Sequence, residues 1–185
     1  MIFAWQPANF WVLMTAGVGA LGALALALRG NFPRREGAGP ADVALGAGLA
    51  LLLYAAFAAG SAASGLVLPG AAAQIAAVYG IRAQAPAWAI GLALVCVIGP
   101  GEELFWRGLV QWGLVRRMGA ARGWAAATLL YGLVHVAAGN AMLILAALAA
   151  GAFWGWAYLR VGRIAPVVVS HVLWDITVFL LLPLR

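Results

Sequence analysis

Six ionisable side chains lie in stretches of this sequence that are otherwise apolar: Glu102, Glu103, Arg107, His135, His171 and Asp175. The chain has only five acidic residues and two histidines, and three of the acids and both histidines belong to this set. Carboxylates and imidazoles can activate water and transfer protons, and a nearby donor can stabilise the charge that develops when a carbonyl is attacked. The set therefore indicates hydrolytic or proton-transfer chemistry.

The spacing of these residues predicts how they pair on helices. Glu103 and Arg107 are four residues apart, so they can form an ion pair on one helix face. His171 and Asp175 have the same spacing, so the carboxyl group could orient the imidazole. Glu102 points about a third of a turn away from Glu103. We therefore expect one glutamate to be neutralised by the arginine and the other to face a cavity.

The composition requires a membrane around these segments. Hydrophobic residues make up 66% of the 185 residues, charged residues make up 9%, and the mean hydropathy is +1.01. A soluble domain has about 45–50% apolar and about 25% charged residues, so a soluble globule, a coiled coil and a disordered chain are excluded. We predict an all-α polytopic membrane helix bundle that forms a single membrane domain over residues 1–185.

Six long apolar segments are separated by more polar or glycine-rich stretches. They run over Phe10–Leu28, Asp42–Gly60, Pro86–Val115, Gly123–Ala138, Ala141–Leu159 and Ile164–Leu182. A stretch around Ala71–Tyr79 could form an interfacial or re-entrant helix, so we predict six transmembrane helices, or seven if this stretch also crosses. Residues 1–85 then hold two leading helices and the interfacial segment, and residues 86–185 hold four helices. The nine Trp and four Tyr are expected at the membrane interfaces or in helix packing.

Three of these segments carry polar groups at a comparable depth. At about 1.5 Å per helical residue, Glu103, His135 and Asp175 lie roughly 16–18 Å from the same membrane face. The tripeptide Gly99–Gly101 (GPG) is expected to loosen or break its helix, which would admit water beside Glu102. We therefore expect groups from three helices to share one wet pocket in the bilayer.

The basic residues predict the topology. All eleven are arginines, and eight follow the first, third and fifth segments: Arg29, Arg34, Arg35, Arg116, Arg117, Arg122, Arg160 and Arg163. Basic residues mark cytoplasmic loops, so both termini are predicted to be external, on the periplasmic side. Arginine without lysine, with abundant Ala and Gly, indicates a GC-rich bacterial genome and hence the bacterial inner membrane. The arginines form no continuous stripe, so no nucleic-acid partner is expected.

Three short motifs resemble those of one family of intramembrane proteases. Glu102–Arg107 (EELFWR) resembles the EExxxR motif of the CAAX-protease and bacteriocin-processing (CPBP) family. Tyr131–His135 (YGLVH) resembles the FxxxH motif of that family, and His171–Asp175 (HVLWD) resembles its HxxxN or HxxxD motif. The motifs occur in the family's order, and the resemblance covers about Pro86 to Leu182.

The resemblance implies a catalytic core of four helices around a buried site. It implies that Glu102 is the general base for a water molecule and that His135 helps to hold this water. Glu103 would pair with Arg107 as support. Such a set meets the needs of peptide hydrolysis in a membrane, which requires a base, a trapped water and a donor for developing negative charge.

The remaining implied role, stabilisation of the oxyanion, falls to His171 and Asp175. The sequence departs from the family pattern here, because Asp175 stands where many members have Asn. An ionised aspartate cannot donate a hydrogen bond to an oxyanion, so Asp175 either is protonated or acts on His171 as an orienting acceptor. A second departure is milder: Tyr131 replaces Phe and adds a hydroxyl group.

Other hydrolytic chemistries fit the sequence less well. Glu102, His135 and His171 could form a His₂Glu zinc set, so zinc remains an alternative to a metal-free site without cofactors. No HExxH zinc motif is present, and the three serines lack a GxSxG context. Asp42 lies at a predicted helix start near the cytoplasmic face, too far from Asp175 for an aspartyl pair.

The resemblance thus implies a glutamic-type intramembrane endopeptidase. Members of that family remove prenylated C-terminal tails, process bacteriocin-type leaders or trim C-terminal sorting helices. The expected partners are the lipid bilayer and a membrane-associated protein, from which a C-terminal sorting or processing segment is removed. Two other classes stay open: a proton-coupled transporter, since buried Glu, His and Asp also form proton relays, and a catalytically inactive relative that only binds.

Overall fold

The computed structural model of the chain describes residues 9–29 and 39–184, and every regular element in these two ranges is helical. The helices are α1 (Phe10–Arg29), α2 (Pro40–Val67), α3 (Ala71–Gly80), α4 (Ala87–Met118), α5 (Ala120–Leu133), α6 (Ala141–Val161) and α7 (Ala165–Leu181). Two short 3₁₀ segments, Ile81–Gln84 and Val136–Ala138, follow α3 and α5. The all-α prediction is confirmed.

Four of these helices are long and apolar enough to cross a membrane: α1, α2, α4 and α6. Helix α7 is apolar but shorter, and α5 has 14 residues, so the predicted count of six or seven spans stays a prediction. Helix α3 occupies the stretch predicted as a short interfacial or re-entrant helix, with 10 residues. Helix α2 was predicted to end at Gly60 but continues to Val67, and the chain turns only at Gly70, where φ is +82°.

Helix α4 was expected to loosen or break at its GPG tripeptide, and it remains continuous. The α-helical turn Gly99–Glu103 is flanked by two π-helical stretches, Leu94–Ile98 and Leu104–Gln111. Proline removes one backbone donor and crowds the preceding turn, and a π-helical stretch absorbs such a misfit without ending the helix. The helix is therefore loosened into π-helical turns, as expected, and is not broken, and the widened helix holds the two glutamates within its span.

The glycines of this tripeptide let α4 approach its neighbours closely. A Cβ atom on Gly99 would lie 2.6 Å from Val172 Cγ2 of α7. A Cβ atom on Gly101 would lie 2.7 Å from Val18 Cγ1 of α1. Helix α4 therefore packs between α1 and α7, and this packing buries the turn that carries Glu102.

One end of the bundle gathers arginines from different loops. The guanidinium groups of Arg29 and Arg116 lie 4.9 and 4.7 Å from the centroid of the Trp112 ring. Asp42, at the start of α2, pairs with Arg163 at 2.6 Å. This clustering agrees with the predicted grouping of those loops, while the side of the membrane that they face stays a prediction. Arg34 and Arg35 lie outside the described residues.

The contact between α2 and α7 generates a test of the fold. A Cβ atom on Gly46 would lie 2.6 Å from Val169 Cβ and 2.8 Å from the Pro166 carbonyl oxygen. Backbone and a β-branched side chain cannot move away cheaply, so Gly46→Ala should lower the free energy of unfolding by about 1–3 kcal/mol. The measurement is reversible unfolding in a detergent and SDS titration, followed by circular dichroism.

Gly48→Ala is the matched control, because a Cβ atom on Gly48 would meet nothing within 4 Å. It should leave stability unchanged or slightly raise it. Equal stability of the two variants would contradict the close α2–α7 packing.

Candidate active site

Glu103 is the centre of a buried polar network that joins α4 to α7. Its side chain is 0% exposed, and its Oε1 atom accepts hydrogen bonds from Arg107 Nη1 at 2.9 Å and from His171 Nδ1 at 2.7 Å. Arg107 and His171 are themselves buried. The ion pair expected from the i,i+4 spacing is therefore present, and it also reaches the histidine of another helix.

His171 has a different hydrogen-bond partner from the one that its spacing indicated. Its Nε2 atom lies 3.6 Å from Asp175 Oδ2, which is too long for a hydrogen bond, whereas Glu103 contacts its other ring nitrogen. The imidazole stacks on the indole of Trp154, with ring centroids 3.9 Å apart and planes at 19°. The Trp154 Nε1 atom donates to Ser170 Oγ at 3.1 Å, so the indole is also held in place. Asp175 lies within ion-pair distance of Nε2, so its orienting role stays a prediction, while Glu103 and Trp154 contact the ring more closely.

Glu102 faces away from this network, as the spacing predicted. Its Oε2 atom accepts a hydrogen bond of 2.8 Å from the Tyr131 hydroxyl of α5. The carbonyl oxygen of Tyr131 lies 2.8 Å from His135 Nδ1. A carbonyl oxygen can only accept, so Nδ1 carries the hydrogen, and Nε2 carries the lone pair when the ring is neutral. Tyr131 therefore contacts both residues that were predicted to hold a water molecule.

His135 lies in a turn, where the sequence predicted a continuous helix over Gly123–Ala138. The α-helical part of α5 ends at Leu133, and Gly139 has a φ of +64°. The turn leaves His135 partly exposed, in contrast to the buried His171.

A cavity of about 470 Å³ brings the polar residues of three helices together. Its polar lining includes Glu102, Tyr131, His135, His171 and Asp175. The rest of its wall is mostly apolar and comes largely from α1, α2, α3, α6 and α7. Of the six ionisable residues that the sequence singled out, four line this cavity.

The other two, Glu103 and Arg107, lie behind the cavity wall and are absent from its lining. Adjacent glutamates of one helix therefore have different surroundings. Glu102 borders the cavity, and Glu103 is enclosed by Arg107 and His171. A carboxylate and two imidazoles therefore border one cavity, where they could act on a bound water or substrate, and a second carboxylate holds His171 in place.

The donor atoms do not fit a metal ion in this conformation. Among residues 9–29 and 39–184, no three His, Cys, Asp or Glu side chains lie close enough to share one ion. One oxygen of Glu102 is taken by Tyr131, and His135 Nδ1 is taken by a carbonyl oxygen. The zinc set Glu102, His135 and His171 that the sequence left open is thus not assembled here.

Several side chains of the site were not predicted from the sequence. Trp154 was counted among residues of helix packing, yet it is 1% exposed and stacks on His171. Gln111 Nε2 donates to the carbonyl oxygen of Gly155 at 2.9 Å. The available signal was the four-residue spacing of Gly151 and Gly155, which is typical of close helix approach. That spacing does not show which side chains pack against the two glycines.

Comparison with protein-family models now bears on the identity of the chain. The model described as type II CAAX prenyl endopeptidase Rce1-like matches residues 84–177, which is half of the chain and contains all three motifs. Comparisons with curated proteins and with solved structures found no match.

The buried ion pair generates a prediction about stability. Arg107→Met removes the guanidinium group and leaves the Glu103 carboxylate poorly compensated, so the free energy of unfolding should fall by about 3–5 kcal/mol. Arg116→Met is the control, because Arg116 is exposed at the end of α4 and should change stability by less than about 1 kcal/mol. Adding Glu103→Gln to Arg107→Met should restore part of the loss, since it removes the uncompensated charge. Equal unfolding curves for the two single variants would contradict a buried, ionised pair.

Proposed function

Because the chain belongs to the Rce1-like family of type II CAAX prenyl endopeptidases, we propose that it is an intramembrane endopeptidase in which Glu102 activates water. The family indicates a protease, and the apolar helices indicate a multi-pass membrane protein. The observation that carries the finer proposal is the shared cavity, which Glu102 borders together with His135 and His171.

The proposed reaction begins with a water molecule held between Glu102 and His135. The Glu102 carboxylate takes one proton from this water, and the oxygen forms a bond to the carbonyl carbon of the substrate. The C=O electron pair moves onto the carbonyl oxygen, giving a tetrahedral intermediate. Glu102 then returns the proton to the amide nitrogen, the C–N bond breaks, and a carboxylic acid and an amine leave.

The surroundings of the two glutamates support this assignment of the base. Glu103 is fully buried, and its Oε1 atom already accepts from Arg107 and His171. Glu102 has one oxygen bonded to Tyr131 and borders the cavity, so its second oxygen is the better candidate to contact water. In the proposal, Glu103 and Arg107 are positioning residues that hold His171. Asp175 contributes a carboxyl group near the Nε2 atom of His171.

The size and the apolar lining of the cavity support a terminal segment as the substrate. A cavity of about 470 Å³ is within the size range of small-ligand sites, so it accepts a few side chains or a lipid tail but no folded domain. Its largely apolar wall suits a segment that lies in or on the bilayer. We propose that the enzyme removes a C-terminal sorting or processing segment from a membrane-associated protein.

The assignment of the base has a direct test in lipid nanodiscs. One probe is a quenched fluorogenic peptide that ends in S-farnesyl cysteine, two aliphatic residues and methionine. The other is a single-span membrane protein with a C-terminal apolar helix and a basic tail. Glu102→Gln should lower kcat by about 10²–10⁴ on the probe that the wild type cleaves. Glu103→Gln should also lower activity but reduce thermal stability as well, because it disrupts the buried network.

Asp42→Asn serves as the control, since Asp42 pairs with Arg163 at the end of the bundle and should keep its activity. Normal cleavage by Glu102→Gln would contradict a Glu102 base. Proton-linked flux without any cut product would instead identify a transporter.

Metal dependence has a separate test. The proposed mechanism routes no step through a metal ion, so exhaustive treatment with EDTA and 1,10-phenanthroline should leave kcat unchanged. Loss of activity that added zinc restores would contradict a metal-free reaction.

A further inference from the structure

The cavity that Glu102 borders lies in one half of the bundle. On α1 its lining ends at Met14, which is 15 residues, or roughly 22 Å, from Arg29. On α4 its lining ends at Glu102, which is 14 residues, or roughly 21 Å, from Arg116. Helix α2 lines it only from Ala56 onwards. The cavity is therefore distant from the end of the bundle that carries Arg29 and Arg116, which we call the arginine end.

Packed side chains close the cavity towards the arginine end. Leu53, Trp154 and Val167 come from α2, α6 and α7, belong to one apolar cluster and are each at most 2% exposed. Beside this cluster, the Nη2 atom of Arg107 lies 3.4 Å from the carbonyl oxygen of Gly151, so the buried ion pair of α4 also contacts α6. A substrate cannot reach Glu102 from the arginine end without separating these helices.

Helix α3 covers the opposite end of the cavity, where its residue Ile75 belongs to the lining. The Oε1 atom of Gln74 accepts a hydrogen bond of 3.1 Å from the backbone N–H of Met142, at the start of α6. The hydroxyl oxygen of Tyr79 accepts one of 3.1 Å from the backbone N–H of Leu184. Because α3 is held on two sides, the described residues leave the gaps between helices as the approach to the cavity.

The side wall of the cavity is open between α2 and α6. A residue that lines a cavity and is also exposed lies at the edge of an opening. Within residues 9–29 and 39–184, every exposed residue of the lining is on one of these two helices. They are Ala56, Gly60 and Ala63 on α2 and Leu145 and Ala149 on α6. Both helices are apolar and long enough to cross a membrane, so the opening faces the hydrocarbon of the bilayer.

The chemistry of this rim suits a transmembrane segment. Four of its five residues are Ala or Gly, and such small residues let the backbone of another helix approach closely. No arginine belongs to the described lining of the cavity, so nothing there attracts an anionic headgroup or a free carboxylate. The rim therefore favours an uncharged span that arrives from within the bilayer.

We propose that the substrate is a membrane span that enters sideways between α2 and α6 and is cut in the half of the bilayer away from the arginine end. This inference rests on the proposed function and narrows its substrate class. Basic flanks are retained on the cytoplasmic side in enzyme and substrate alike, so the basic tail of such a span lies on the same side as the arginine end. The peptide bond that reaches Glu102 is then the one near the other end of the span.

The route of entry is tested by filling the rim. Gly60→Leu places a large side chain in the opening, and it should lower kcat/KM for the single-span reporter in nanodiscs by about tenfold or more. Gly65→Leu is the matched control, since Gly65 is also exposed on α2 but does not line the cavity. A Cβ atom on either glycine would meet nothing within 4 Å, so both variants should fold with the thermal stability of the wild type.

The depth of the cut is tested with two versions of that reporter, coexpressed with the enzyme in bacterial cells. Each carries one Gly–Gly pair, which loosens the helix and makes its peptide bonds accessible. In one version the pair lies at the end of the span away from the basic tail, and in the other it lies beside the tail. The first version should be cut faster by about tenfold or more, because hydrolysis needs the bond beside Glu102. Mass spectrometry of the products locates the cut.

The outcomes separate this inference from the function on which it rests. Equal kcat/KM for Gly60→Leu and Gly65→Leu would overturn entry between α2 and α6. Equal or faster cleavage of the version with the pair beside the tail would overturn the proposed depth. Cleavage of the farnesylated peptide without cleavage of either membrane reporter would overturn the inference and leave the endopeptidase intact. If the wild type is as inactive as Glu102→Gln on every probe, the proposed function falls, and the inference falls with it.

Discussion

The structure depends on keeping a carboxylate ionised inside a membrane helix. Removing an ion from water costs several kcal/mol, and only close partners offset that cost. Glu103 has two such partners on the same oxygen, one from its own helix and one from α7. The network therefore requires α4 and α7 to pack at one register, and Gly99 of the GPG turn allows this approach. Once that register is set, His171 also borders the cavity.

Two neighbouring glutamates consequently have different roles in the molecule. Helical geometry turns successive side chains by about 100°, so a helix that buries one glutamate against its neighbours can present the next to a cavity. The π-helical stretches around this turn keep the helix continuous where proline would otherwise interrupt it. The base proposed for a protease of the Rce1-like family thus lies on a continuous helix, next to a buried ion pair.

The parts of this site that depend on local spacing could be predicted from the sequence, whereas those that depend on long-range packing could not. The all-α class, the bounds of α4 and the pair Glu103–Arg107 follow from hydropathy and i,i+4 geometry, which a sequence displays directly. The contact between Glu103 and His171, 68 residues apart, does not, because it depends on how two helices rotate against each other. The same holds for Trp154, whose role comes from stacking on His171. One local error had a local cause: α2 continued past Gly60 until Gly70 allowed a turn.

The central claim is that Glu102, His135 and His171 serve one solvent-filled space within the bilayer. An experimental structure in lipid nanodiscs, at a resolution that defines water, tests this most directly. The account predicts an ordered water within hydrogen-bond distance of both Glu102 and His135, in a cavity that His171 also borders. Side chains that face apart, with packed protein between them and no solvent molecule in common, would contradict it.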